Sequence, residues 1–197
     1  MVVKDAYLEG QKYTKLENLS KIMNAKVGQP IFSIDLDKVR GDLEDVSWIK
    51  YAAVERQLPS TINIQISERQ PVALWQYKKK AYLIDIDGYV IKEPNLAPFS
   101  DLIIIVGKNA PVFARSLLTM IERDDDIRTM VSSAIRVNER RWNVRLHNDV
   151  EIKLPEEEPE VAWEYLINQH KKNHILDSKI KTIDLRLPGK MYINKKT

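Results

Sequence analysis

Cysteine is absent from this chain of 197 residues, which excludes disulfides and thiolate metal sites. Long apolar runs are absent as well. The longest, Leu102–Val106, is far too short to cross a bilayer, and no signal peptide is visible. The 6 glycines are scattered, so no loop cradles a phosphate. Charge of one sign is scarce: a formal net charge of +3 is too small to argue for nucleic acid. The short basic clusters Lys78–Lys80, Arg140–Arg141 and Lys195–Lys196 read as solvated surface. What is present, 44% hydrophobic and 30% charged residues, suits a soluble protein that builds a core.

The first seventy residues form one pattern. Val3 to Leu8 reads as a strand ended by Gly10. Thr14 and Glu17 form a T-x-x-E capping box, which predicts a helix from about Lys15 with Leu16, Leu19, Ile22 and Met23 on one face. Gly28 and Pro30 break it, and Asp35 or Ser33 caps a second helix whose stripe is Leu36, Val39 and Leu43. Two strands follow, Ile49–Arg56 and Thr61–Glu68, the second with isoleucines alternating with polar residues. The order β-α-α-β-β packs as a two-layer α+β sandwich.

Residues 71–197 read as a second unit, mostly β. "AYLIDIDGYVI" is two strands around the turn dipeptide Asp87-Gly88. "DLIIIVG" is a buried strand, and Pro111 starts a helix that buries Phe113, Leu117, Leu118 and Ile121. A second helical piece is expected at Ile127–Ser133. In the meander that follows, Trp142, Val144 and Leu146 alternate on one strand, and Val150, Ile152 and Leu154 on the next. A helix then aligns Trp163, Leu166, Ile167 and His170. "KIKTIDLRL" and "KMYINKK", separated by Pro188-Gly189, close the chain. The last strand has no later partner, so it is expected to be an edge. Its lysines, Lys190, Lys195 and Lys196, are candidates to guard that edge, and the outward parity of its N–H groups is left open.

Chemistry-bearing clusters are few. Glu68-Arg69 has no local nucleophile or second acid beside it, so it reads as the end of a strand before Pro71. His170 and His174 are four apart on a helix but lack a third ligand, and a semi-buried His170 with an exposed His174 is the plainer reading. "DIDG" fails as a calcium loop, with Leu83 and Pro94 where acids are needed. Asp124–Asp126 suits a helix-capping turn. With no G-x-S-x-G or H-E-x-x-H either, no catalytic, metal or cofactor site is expected, and the chain does not read as an enzyme.

Several stretches resemble the FtsQ/DivIB family of bacterial cell-division proteins. They are "GQPIFSIDL" at 28–36, Trp48, "VERQLPSTINIQISERQPVA" at 54–73, "LIDIDGYVI", "RRWNVRLHNDVEIKL" and "IDLRLPGKMYIN". The resemblance implies an α+β fold, with a POTRA domain over residues 1–70 and a mostly antiparallel β domain with flanking helices over 71–197. It further implies a parent with a short cytoplasmic tail and a single span of the inner membrane before residue 1, leaving this region in the periplasm. The implied role is a scaffold that links early and late division proteins and binds the coiled-coil proteins FtsB and FtsL. Arg140 and Arg186 match family positions that contribute to binding FtsB, and contact with an acidic partner is expected of them. The C-terminal strand, with Leu187, Met191, Tyr192 and Ile193, matches the strand on which an FtsB segment adds. Leu187 stands where some members carry an aromatic. Two other readings are weighed: a POTRA-type chaperone module of an outer-membrane assembly or secretion system, and an envelope enzyme acting on peptidoglycan.

Overall fold

The structure, a computed structural model, describes every residue except Ala25, Ser178 and Thr197. Its chain separates into Met1–Gln70 and Pro71–Thr197. The first unit runs β1 (Asp5–Glu9), α1 (Leu16–Asn24), α2 (Leu36–Glu44), β2 (Ile49–Gln57) and β3 (Thr61–Glu68). In its sheet β3 lies between β1 and β2, parallel to the first and antiparallel to the second. Ile62, Ile64 and Ile66 point from β3 into a core with Leu19, Val39 and Leu43. Asp35, not Ser33, caps α2, its carboxylate accepting from Lys38 N–H at 3.0 Å.

The start of α1 departs from the capping-box expectation. In such a box Glu17 would reach back to the Thr14 amide. That amide donates instead to Glu68 Oε1 at 2.7 Å, and the Tyr13 amide donates to Glu68 Oε2 at 2.8 Å. Glu17 is exposed, the helix begins at Leu16, and Leu16 itself is 60% exposed rather than packed. A carboxylate from the far end of the unit has taken over the role the local motif predicts. Burial pushes the Glu68 carboxyl up. The Thr14 side chain and the amides of Tyr13, Thr14 and Lys12 outweigh it and hold the pKa below the ordinary glutamate value. Glu68 is thus a structural clamp, and Trp48, buried and stacked on Tyr13 at 4.7 Å, packs beside the same segment.

The second unit contains β4 (Pro71–Tyr77), β5 (Lys80–Asp85), β6 (Val90–Ile91), β7 (Ile103–Val106), α3 (Ala114–Ile121), α4 (Asp125–Met130), β8 (Val131–Val137), β9 (Arg141–Leu146), β10 (Glu151–Lys153), α5 (Pro159–Asn173), β11 (Ile180–Asp184) and β12 (Tyr192–Lys195). They form one 9-stranded sheet in the order β12-β11-β10-β9-β8-β7-β4-β5-β6. Pairing is antiparallel except at β10–β11, β7–β8 and β4–β7. Parallel neighbours need crossovers. Helices α3 and α4 make the one between β7 and β8, and α5 the one between β10 and β11. Leu117, Met120, Ile127, Trp163 and Leu166 from these helices meet Ile105, Ala134, Val144, Ile152 and Ile183 of the sheet.

The helix expected at Ile127–Ser133 is shorter and earlier. It runs Asp125–Met130, and Val131–Ser133 join β8, because Val131 and Ser133 pair with Leu146 and Arg145 across the meander. Tertiary pairing overrides local preference there. Asp124 caps α4, accepting from Ile127 N–H at 3.1 Å, and pairs with Lys171 Nζ at 2.7 Å. The hairpin at "DIDG" closes through a three-residue loop rather than on the dipeptide alone. Asp85 N–H donates to Tyr89 O, and Gly88 N–H donates to Asp85 O. The buried Asp85 carboxylate accepts from the Asp87 and Tyr89 amides at 3.0 and 2.9 Å. That is the chemistry of an aspartate turn. His170 is 8% exposed, and its Nδ1 accepts from the Leu176 amide at 3.4 Å, whereas His174 is exposed.

Candidate partner interface

β12 is the terminal strand of the large sheet, and every one of its side chains is exposed. Two backbone bonds fix its parity. Leu185 N–H turns toward β10, donating to Lys153 O at 2.9 Å, and Lys196 N–H turns inward to Lys179 O at 2.9 Å. Alternation along an antiparallel pair then makes Asp184–Tyr192 and Thr182–Asn194 the hydrogen-bonded pairs, with Ile183–Ile193 between them. The N–H and C=O groups of Ile193 and Lys195 therefore face away from the sheet. The strand is held at its far end by Lys196, whose Nζ donates to Asn148 O at 2.8 Å.

The structure gathers the sequence candidates along one end of the sheet. Asn143, Lys153, Asp184 and Tyr192 stand in a single row across β9 to β12. Arg140 lies in the turn before β9, and Arg186 follows β11, so both belong to that rim. Tyr192, Ile193 and Leu187 are 51%, 40% and 53% exposed. Met191 differs, being half-buried against the core. Leu187 O accepts from Lys190 N–H across Pro188-Gly189. With Val161, Ala162, Tyr165 and Leu185, Leu187 also lines an apolar hollow of about 190 Å³ beside the first turns of α5.

Neither arginine is free. The Arg186 guanidinium donates from Nε to both oxygens of Asp184, at 2.9 and 3.0 Å, and from an Nη at 2.6 Å. This hydrogen bonding holds the Asp184 carboxyl below its ordinary range against the opposing effect of burial, so the pair stays ionised at neutral pH. Arg140 Nε stands 3.4 Å from Glu156 Oε2. Both guanidiniums are therefore already engaged by internal acids. Asp184 is the residue that sequence reasoning missed. The signal was available: residues two apart on an extended strand share a face, and D-L-R has that spacing.

Among the described residues, no group of three or more His, Cys, Asp or Glu could hold a metal, and no helix is long and apolar enough to cross a membrane.

A β-α-α-β-β unit followed by a mixed sheet with an open C-terminal edge defines a POTRA-bearing protein of α+β class. Residues 3–69 match the POTRA domain of FtsQ type, and residues 73–186 match the family described as cell division protein FtsQ/DivIB, C-terminal. The chain belongs to the FtsQ/DivIB family of cell-division proteins. It is 36% identical over 193 residues to cell division protein FtsQ of Rickettsia felis, covering 98% of this chain and 72% of that protein. It is 33% identical to cell division protein FtsQ of Caulobacter vibrioides, covering 94% and 62%. A solved structure of the major extracytoplasmic domain of DivIB from Geobacillus stearothermophilus is similar at 15% identity and a TM-score of 0.38, over 54% of this chain and 98% of that one.

Proposed function

We propose that this chain is the extracytoplasmic region of a division protein anchored by one inner-membrane span, and that it acts as a non-enzymatic scaffold. In this reading residues 1–70 and 71–197 are separate domains. The second receives an extended segment of FtsB, presented with FtsL, on the free edge of β12. The observation that carries the reading is the outward parity of Ile193 and Lys195 on an exposed terminal strand. Main-chain bonds to those groups supply affinity, and neighbouring side chains supply selectivity. Arg186 and Arg140 then attract acids on the incoming segment, while Leu187 and its hollow offer an apolar contact. In the proposed role, the chain links this partner to earlier and later division proteins.

Ile193→Pro is the test, with binding of a purified FtsB extracytoplasmic segment measured by calorimetry. Proline there removes an outward donor and obstructs an added strand while sparing every bond to β11. Binding should be lost with circular dichroism unchanged. Tyr192→Pro, which removes an inward donor, should instead loosen the β11–β12 hairpin. A folded Ile193→Pro chain that binds like the parent overturns strand addition. Arg186→Ala should weaken binding by a smaller factor, because Asp184 already occupies the guanidinium. Incubation with purified sacculi should release no soluble fragments, and release would overturn the non-enzymatic reading.

A further inference from the structure

The three-stranded sheet has its helices on one face only, and the other face carries a second surface. Asp5, Tyr7 and Glu9 from β1, Tyr51, Ala53 and Glu55 from β2, and Asn63 and Gln65 from β3 alternate onto it, opposite the buried isoleucines. The register sets Tyr7, Asn63 and Glu55 in one row and Glu9, Gln65 and Ala53 in the next. Ala53 is short, so a hollow of about 400 Å³ opens between Tyr7 and Glu9 on one wall and Glu55 on the other.

This hollow offers acceptors. Glu9 and Glu55 have no ion-pair partner among the described residues, and no lysine or arginine lines the hollow although the chain as a whole is cationic. Asn63 donates its amide N–H to Gln57 Oε1 at 3.0 Å, which leaves its own Oδ1 to accept. Tyr7 and Tyr51 are 62% and 63% exposed. At the margin Lys50 Nζ already sits 5.6 Å from the centroid of Tyr51, so a ring on this face does receive a cation.

We propose that this open face is an interaction surface for an extended, basic polypeptide segment, with an arginine or lysine side chain entering the hollow between Tyr7, Glu9 and Glu55. Carboxylates on both walls and an amide oxygen on the floor match the donors of a guanidinium, and Tyr7 flanks its aliphatic stem. The site is independent of β12 and lies in the other unit, so the chain has two surfaces for two partners of opposite charge.

The test is titration of the isotope-labelled full chain with a short synthetic peptide of alternating arginine and threonine, followed by amide shifts. Its glutamate-for-arginine counterpart and spermine serve as the comparison probes. Shifts should centre on Tyr7, Glu9, Ala53, Glu55 and Asn63 with the arginine peptide and be absent with the glutamate peptide. Glu9→Lys with Glu55→Lys should weaken binding about tenfold or more, since like charges then face each other. Glu17→Lys, one such reversal placed on exposed α1, should leave affinity unchanged. If the double reversal fails to fold, Glu9→Gln with Glu55→Gln carries the same comparison. Scattered shifts, equal weakening by Glu17→Lys, or identical shifts and affinity with spermine would overturn the proposal.

Discussion

Replacing Glu68 with alanine should destabilise the first unit by about 2–4 kcal/mol. Its two carboxylate oxygens take the amides of Tyr13 and Thr14 across more than fifty residues of chain, at 2.8 and 2.7 Å, and the residue is 8% exposed. Hydrogen bonds to a charged acceptor are stronger than neutral ones, and losing this acceptor strands two donors at the entrance to α1. Glutamine keeps one acceptor oxygen and should recover part of the loss. The effect carries a pH signature. Because the folded-state pKa lies below the unfolded one, the contribution is complete above the ordinary glutamate value and disappears as pH falls through the depressed value. Urea unfolding of parent and Glu68→Ala chains, followed by the amide signals of residues 13 and 14, should show the gap closing only in acid. A gap that persists unchanged at low pH would mean the carboxylate charge is not the source.

Gly88→Ala should cost about 2–4 kcal/mol in the second unit. Gly88 has φ +79, and a Cβ built on it would stand 2.3 Å from Pro111 O and 2.8 Å from Pro111 C. Both are backbone atoms at the entrance to α3, so no side chain can swing aside. The strand hairpin and the helix start cannot both keep their places. Gly189 separates the two causes of the loss. It has φ +67 with nothing within 4 Å of an added Cβ, so Gly189→Ala should pay only the left-handed backbone cost of about 1 kcal/mol. Comparable denaturation midpoints for the two variants would refute the close-approach argument.

Periodicity carried most of the fold. Trp142, Val144 and Leu146 and then Val150, Ile152 and Leu154 are all buried, as is the α5 set of Trp163, Leu166, Ile167 and His170. These patterns are local, and each is the imprint of one face against one core. What failed was settled by contacts distant in sequence. Nothing near Thr14 announces that its amide belongs to Glu68, and nothing near Leu16 says that it stays exposed while Leu19 on the same face of α1 is buried. Val131–Ser133 could continue a helix until β9 claims them. At the candidate interface the chain order pointed to an edge strand, but its parity needed the bonds made by Leu185 and Lys196. The occupied state of Arg186 needed the Asp184 geometry.

The place where the chain enters the large sheet has a mechanical meaning. β4 sits between β7 and β5, and β12 lies six strands away, roughly 29 Å at about 4.8 Å per strand. Tension between β4 and anything gripping β12 runs across the strands and loads every intervening ladder in series. The parallel ladders β7–β8 and β10–β11 have 3 register pairs each. Both are also the ladders whose strands are joined by helical crossovers rather than tight turns, and those helices share one packed core. The pull that would unzip these two ladders must first tear α3, α4 and α5 from that core, which leaves β9–β10, also of 3 register pairs but closed by a turn at 147–150, as the short ladder without such reinforcement.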